Sequence, residues 1–318
     1  MNGILNLLKP PGMTSFDVVA HIRGLTRTRK VGHTGTLDPM AAGVLTVCTG
    51  NATGAIEFLV EKDKLYRAEL TLGISTDTQD STGTVLSQAP VNASDREIED
   101  AVRSFIGSYG QIPPMYSAIR RDGKKLYELA REGVSVDRAP RRVELYSADV
   151  VRITRRIRDT SCRQAAEKTP QDVLNGPVKV LFDAHCSKGT YIRTLCSDIG
   201  DRLGCGGHMS FLLRKRAGAF ALEDALTLEE LKALAEDGRL REALLDVETA
   251  FGELEAVALD EVREKKFLNG VRFDSGCGPE HGGLVRVYGP DGGFLALGEL
   301  YDDSGRRFLK SRKIFKLQ

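Results

Sequence analysis

Apolar positions recur along this chain at two spacings, strand-like and helix-like, without a regular strand–helix–strand rhythm. Ile4 to Leu8 is a short apolar run stopped by Lys9-Pro10-Pro11-Gly12, which predicts a strand and a turn. Thr14-Ser15-Phe16-Asp17 reads as a capping signal, and behind it Val18, Val19, Ile22 and Leu25 recur at helical spacing. Over 66–75, Ala68, Leu70, Leu72 and Ile74 alternate with Arg67, Glu69 and Thr71, the pattern of a half-buried strand. Ser94-Asp95-Arg96-Glu97 predicts a capping box for a helix that carries Ile98, Val102, Phe105 and Ile106 and ends at Gly107. Val178, Val180, Phe182, Ala184 and Cys186 alternate as another strand. Ser187-Lys188-Gly189 then turns into a helix with the stripe Ile192, Leu195, Cys196, Ile199 and Leu203, closed by Gly204. Thr227 caps a further helix through Leu234. Strands with one buried face predict an α+β fold with a mixed, largely antiparallel sheet.

Near residue 250 the texture changes. Leu284 to Tyr288 and Phe294 to Leu300 flank Gly289-Pro290-Asp291-Gly292-Gly293, a hairpin signal, in a glycine-rich stretch of short strand-like runs. This predicts a large domain over 1–249 and a small β-rich domain over 250–318. Asp77 to Gly83 reads as a polar turn, and 155–177 as an inserted loop of little periodicity.

Composition adds limits. A chain of 318 residues is long enough for two domains and a sizeable core. The net charge of +1 decides nothing, but basic residues bunch. The clusters are Arg27, Arg29 and Lys30; Arg120, Arg121, Lys124 and Lys125; Arg138, Arg141 and Arg142; Arg155, Arg156 and Arg158; and Arg214, Lys215 and Arg216. Such segregation fits either a phosphate-binding face or solvated surface. Six scattered cysteines without Cys-x-x-Cys, no signal-peptide pattern and no apolar run of spanning length predict a reducing, cytoplasmic setting away from membranes.

The densest candidate chemistry lies in Gly32-His33-Thr34-Gly35-Thr36-Leu37-Asp38-Pro39. Glycines permit tight backbone there, and Pro39 biases Asp38 to extended geometry. A carboxylate presented from such a loop suits nucleophilic or acid–base work. It equally suits a turn in which Asp38 caps the next segment. A zinc site from His185, Cys186, Cys205 and His208 is disfavoured, because adjacent His185 and Cys186 face opposite sides of a strand. No phosphate-binding loop or dinucleotide fingerprint occurs, so neither metal nor cofactor is expected.

The loop continues into Ala41-Ala42-Gly43-Val44-Leu45, and the whole resembles the catalytic motif of the TruB family of bacterial tRNA pseudouridine synthases. Further runs resemble the family's other motifs in the same order. They are Lys9-Pro10-Pro11-Gly12-Met13-Thr14-Ser15; Lys64-Leu65-Tyr66-Arg67, running into Gly73-Ile74-Ser75-Thr76-Asp77-Thr78; Gln111-Ile112-Pro113-Pro114-Met115-Tyr116-Ser117-Ala118 with Gly123-Lys124-Lys125-Leu126-Tyr127; and Cys186 to Leu195. Ala42 and Gly54 depart from the family, which often has Thr and a basic residue there.

The resemblance implies a catalytic domain of pseudouridine synthase type followed by a PUA-like RNA-binding domain. It implies conversion of uridine to pseudouridine at position 55 in the T-loop of tRNA. By the same resemblance Asp38 is the catalytic carboxylate, Arg193 its ion-pair partner and Tyr66 an aromatic of the active site. Tyr191 and Leu212 line the base pocket, and His33 enters the RNA stack after the target base is extruded. Lys9 either braces the loop or touches phosphate. The expected partner is the tRNA T-stem-loop, with no obligatory protein partner and a monomeric chain. Two alternatives stand beside this: a tRNA-binding or folding module, and a guide-RNA-dependent synthase acting on another RNA.

Overall fold

The computed structural model describes residues 1–121, 123–155, 177–275 and 282–315. Most of the 155–177 insertion, and Arg156 and Arg158 of one basic cluster, therefore lie outside the described residues. The chain divides into two compact units, each built from non-contiguous segments. One comprises Met1–Pro39, Gly43–Glu61 and Ala217–Gln318; the other comprises Met40–Ala42 and Lys62–Arg216. The fold is α+β, and most of its strand pairings are antiparallel.

In the first unit the strand Gly3–Lys9 pairs antiparallel with Ala42–Thr49, from Gly3 opposite Thr49 to Lys9 opposite Gly43. Both strands are buried along nearly their whole length, which accounts for their continuous apolar runs. The short strand Val31–His33 pairs with the same partner. The helix Ser15–Thr26 starts where expected: the Thr14 hydroxyl accepts from the Asp17 N–H, and Asp17 accepts from the Thr14 N–H at 2.8 Å. Hydrogen bonds from Thr14 hold the exposed Asp17 carboxyl below the usual carboxylate range. Val18, Val19 and Ile22 enter a core with Leu5, Leu7, Leu45, Val47 and Leu231. Towards the C-terminus five strands form a separate sheet whose core includes Phe267, Val285, Val287 and Leu309. Its hairpin Gly283–Tyr288/Phe294–Asp303 matches the glycine-rich turn signal.

In the second unit the strands Gly207–Ala217, Lys64–Leu72, Val178–Cys186, Arg141–Arg155 and Gly107–Gln111 lie in that sheet order. Two expectations are corrected, and one strand is new. The strand at 66–75 stops at Leu72, because Gly73 takes φ +89 and a Cβ there would lie 2.9 Å from the Ala89 carbonyl. Ile74 belongs instead to a hairpin with Val85–Gln88. The capped helix after Ser94 ends at Arg103, not Gly107; Ile106 is exposed and Gly107 opens a strand at φ +104. The strand Arg141–Arg155 has no counterpart in the sequence reading. Register shifts between Leu145 and Ser147 and between Val150 and Arg152 break its alternation, so period-two patterning never accumulates.

Candidate active site

The first unit holds Lys9, His33 and Asp38. Lys9 is fully buried at 0% exposure. Its ammonium donates to the carbonyls of Pro10 at 2.9 Å, Met13 at 2.7 Å and Pro39 at 3.2 Å. The Gly12 N–H donates to the same Pro39 carbonyl at 2.8 Å. On the other side of Asp38, the Leu37 N–H donates to Ser15 Oγ at 2.9 Å, and the Ser15 hydroxyl lies 3.2 Å from the Leu37 carbonyl. The backbone is thus clamped immediately before and immediately after Asp38, while the Asp38 side chain stays half-buried. A charged donor to a buried carbonyl contributes about 1.5–3 kcal/mol, so the Lys9 contacts fix the loop firmly.

His33 ends the strand Val31–His33 opposite Val47. Its Nδ1 accepts the Gly35 N–H at 3.2 Å, an arrangement that puts the proton of neutral imidazole on Nε2. The Phe16 ring meets it edge-on, with centroids 5.4 Å apart and planes at 80°.

Tyr66, Tyr191, Arg193 and Leu212 belong to the second unit. Tyr66 stands on the inner face of the strand Lys64–Leu72, 8% exposed and opposite Ala184. Leu212 and Arg214 alternate onto one face of the strand Gly207–Ala217, at 5% and 2% exposure. Tyr191 is the residue before the helix Ile192–Arg202. The buried Gln111 side chain grips both its backbone groups, accepting from the Tyr191 N–H at 2.8 Å and donating to its carbonyl at 3.1 Å.

Arg193 is only 6% exposed, which removes the reading of an exposed helix arginine. Its guanidinium donates to the Tyr116 carbonyl at 2.9 Å and the Thr78 carbonyl at 3.4 Å, and it faces Asp80 Oδ2 at 3.7 Å. Both charged side chains of that pair are 7% exposed. Asp80 is held in turn: its Oδ1 accepts from Thr78 Oγ1 at 2.8 Å, the Thr82 N–H at 2.9 Å and Thr82 Oγ1 at 2.5 Å. Neighbouring Gln79 takes φ 61, a costly conformation for a side-chain-bearing residue. It is locked there by the Met209 N–H on its carbonyl at 3.0 Å and by Thr194 Oγ1 on its amide oxygen at 2.8 Å. The polar stretch from Asp77 to Gly83 is thus a rigid support for Arg193.

Sequence reasoning missed Asp80, Gln111 and Ser15. Asp80 was hidden in a run that any polar turn would show, and Ser15 in a capping signal. Gln111 stood at the head of Gln-Ile-Pro-Pro without a partner in sequence. The basic clusters also divide. Arg27, Arg29, Lys30, Arg120, Arg121, Arg141 and Arg142 are exposed. The 214–216 cluster is not a free basic face: Arg214 is buried, Lys215 pairs with Asp183 at 3.3 Å, and Arg216 pairs with Asp63 at 3.1 Å. Burial opposes ionisation of Asp183, yet hydrogen bonds from Arg67 and Lys215 hold its carboxyl below the usual range. His185 contacts Asp63, and His208 Nδ1 lies 2.9 Å from the Ile74 carbonyl, so each imidazole is engaged within the protein.

A family model described as "TruB family pseudouridylate synthase (N terminal domain)" matches residues 23–192, and one described as "tRNA pseudouridylate synthase B C-terminal domain" matches residues 193–252. The chain is 50% identical over 275 residues to the tRNA pseudouridine synthase B of Alkaliphilus oremlandii (strain OhILAs), covering 86% of this chain and 84% of that protein. It is 44% identical over 326 residues to the tRNA pseudouridine synthase B of Pelotomaculum thermopropionicum, covering 99% and 95%. It also resembles a chain of a solved H/ACA RNP bound to a substrate RNA containing 2'-deoxyuridine. There the TM-score is 0.70 at 26% identity, over 99% of this chain and 85% of that one. The first family match contains His33, Asp38, Tyr66 and Tyr191, and together the matches run through the clamped loop and the Arg193 support: the chain belongs to the TruB family of pseudouridylate synthases.

Proposed function

We propose that this chain isomerises uridine to pseudouridine at position 55 in the T-loop of tRNA, with Asp38 as the catalytic carboxylate. The observation that carries this reading is the double clamp on Leu37 and Pro39, which holds the backbone of a half-buried carboxylate in a TruB-family chain. The reaction breaks the N1–C1′ bond, turns the uracil and joins C5 to C1′. A carboxylate can stabilise charge at C1′, form an adduct there, or remove a proton on a route through a glycal. Each of these needs a fixed oxygen at the sugar.

Arg193 is the proposed cationic partner of Asp38, and Asp80, Thr78 and Tyr116 preset its guanidinium. Tyr66, Tyr191 and Leu212 receive the extruded base, and His33 takes its place in the RNA. Of the two roles open to Lys9, complete burial on three carbonyls supports bracing rather than phosphate contact. Residues 250–318 serve as an RNA-binding domain. The enzyme works as a cytoplasmic monomer, without metal, cofactor or obligatory protein partner.

The similarity to an H/ACA RNP chain favours a second reading, a synthase directed by a guide RNA. The higher identity to the tRNA pseudouridine synthases B weighs against it. Purified protein and one unmodified tRNA transcript separate the two. Pseudouridine formed at position 55 without added RNA supports the tRNA reading; product only after a guide is supplied overturns it.

Tyr66→Phe should bind tRNA like the parent yet slow single-turnover chemistry by roughly 10²-fold, the usual contribution of a positioned proton-transfer group. Parental rates would leave Tyr66 a stacking ring. Affinity should also fall steeply with salt, as exposed Arg27, Arg29, Lys30, Arg120, Arg121, Arg141 and Arg142 release counterions from phosphates. A flat slope in a filter-binding titration would make them solvated surface.

A further inference from the structure

Phe16 is 67% exposed, the second residue of a helix whose apolar stripe is Val18, Val19 and Ile22. The helix buries Ser15, Val18, Val19, Ile22 and Thr26 but not Phe16, and leaving that ring largely in water forgoes the burial that usually stabilises phenylalanine by about 1.5–3 kcal/mol. Its location is the second, independent observation. Preceding Ser15 bonds both backbone groups of Leu37, so the first turn of the helix is fastened to the loop that presents Asp38. The Phe16 ring itself meets His33 edge-on at 5.4 Å. His33 is fixed by the Gly35 N–H on Nδ1, and the next residue, Thr34, donates its N–H to the Thr46 carbonyl at 3.1 Å. A perpendicular contact uses the edge of one ring and leaves an aromatic face open. Phe16 and His33 are thus two pre-positioned rings beside the Asp38 loop, one of them largely in solvent.

We propose that Phe16 is a substrate-contacting residue: an unpaired nucleobase flanking the target uridine stacks on the face of its ring, with the His33 ring standing perpendicular beside it. The proposal rests on the synthase reading for the identity of the RNA. Stacking on an aromatic ring tolerates any base, so Phe16 supplies grip and placement of the opened loop rather than sequence readout. The carboxylate chemistry stays with Asp38.

The test uses the full chain in an Asp38→Asn background, so that bound RNA is not turned over. The probes are T-stem-loop RNAs in which 2-aminopurine replaces one flanking loop base at a time. The parent should quench 2-aminopurine at one flanking position. Phe16→Ala should lose that quenching and bind roughly tenfold more weakly, within the range for one lost aromatic–base stack. Because the side chain is exposed, its thermal midpoint should match the parent's. Phe16→Leu keeps apolar bulk without a ring and should behave like alanine, while Phe16→Tyr restores the ring and the quenching. Parental affinity and quenching in Phe16→Ala, quenching kept by Phe16→Leu, or no quenched position in the parent would each overturn the proposal. So would a loss confined to kcat when the variants are assayed with Asp38 restored, since that would make Phe16 a brace of the loop. Failure of the synthase reading is distinguishable: there the Asp38 chain releases no tritium from C5-labelled uridine, whatever Phe16 does to binding.

Discussion

Asp38→Asn should reduce single-turnover pseudouridine formation by at least roughly a thousandfold while tRNA affinity stays within severalfold. The substitution keeps size and hydrogen-bonding capacity but removes the charge, the nucleophilicity and the basicity, one of which each of the three routes requires. Losses of this order are typical when the reacting group itself is deleted. The clamps act on Leu37 and Pro39 rather than on the Asp38 carboxylate, so the loop should keep its shape and the thermal midpoint should hold. Quench-flow with labelled tRNA and a thermal melt of the same protein separate chemistry from folding. A residual rate within tenfold of the parent would move the chemistry to another residue.

Asp80→Leu should cost both stability and turnover, although Asp80 lies in a run that reads as a plain polar turn. Removing one member of a buried charge pair leaves the other desolvated, a loss of about 3–5 kcal/mol where the pair is isolated. Here the Tyr116 and Thr78 carbonyls still receive the Arg193 guanidinium, so the expected loss is nearer 2 kcal/mol. On the proposed pairing of Arg193 with Asp38, turnover should fall about 10²-fold, because an arginine free to shift by an ångström misplaces the charge that this reading assigns to it. Arg193→Lys should act similarly, since an ammonium cannot reproduce the guanidinium fork. The check is single-turnover rate beside denaturant unfolding; an Asp80→Leu chain with parental turnover would reduce Asp80 to a turn residue.

Much of the frame was legible because local rules operate without help from distant residues. Thr14, Ser94 and Thr227 each form the capping box their spacing predicts. The alternation from Val178 to Cys186 is a strand with buried and half-buried residues in strict order. Legibility stopped where contacts are long-range. Arg141–Arg155 escaped notice because its bulges reset the alternation. Gln111 meets Tyr191 across 80 positions and Arg193 meets Asp80 across 113, since 193 − 80 = 113, and no periodicity encodes either. Arg214 was grouped with Lys215 and Arg216 by charge, yet strand alternation turns it into the interior. Five ordered motifs pointed to the family and named Asp38; the supports around Arg193 came only from the structure.

Release of tritium from an unmodified tRNA transcript labelled at uridine C5, with purified protein and no other RNA, tests the central claim most directly. Stoichiometric release that maps to position 55 and disappears in Asp38→Asn is the predicted result. Release that persists in Asp38→Asn, or no release from a transcript the protein demonstrably binds, would contradict it.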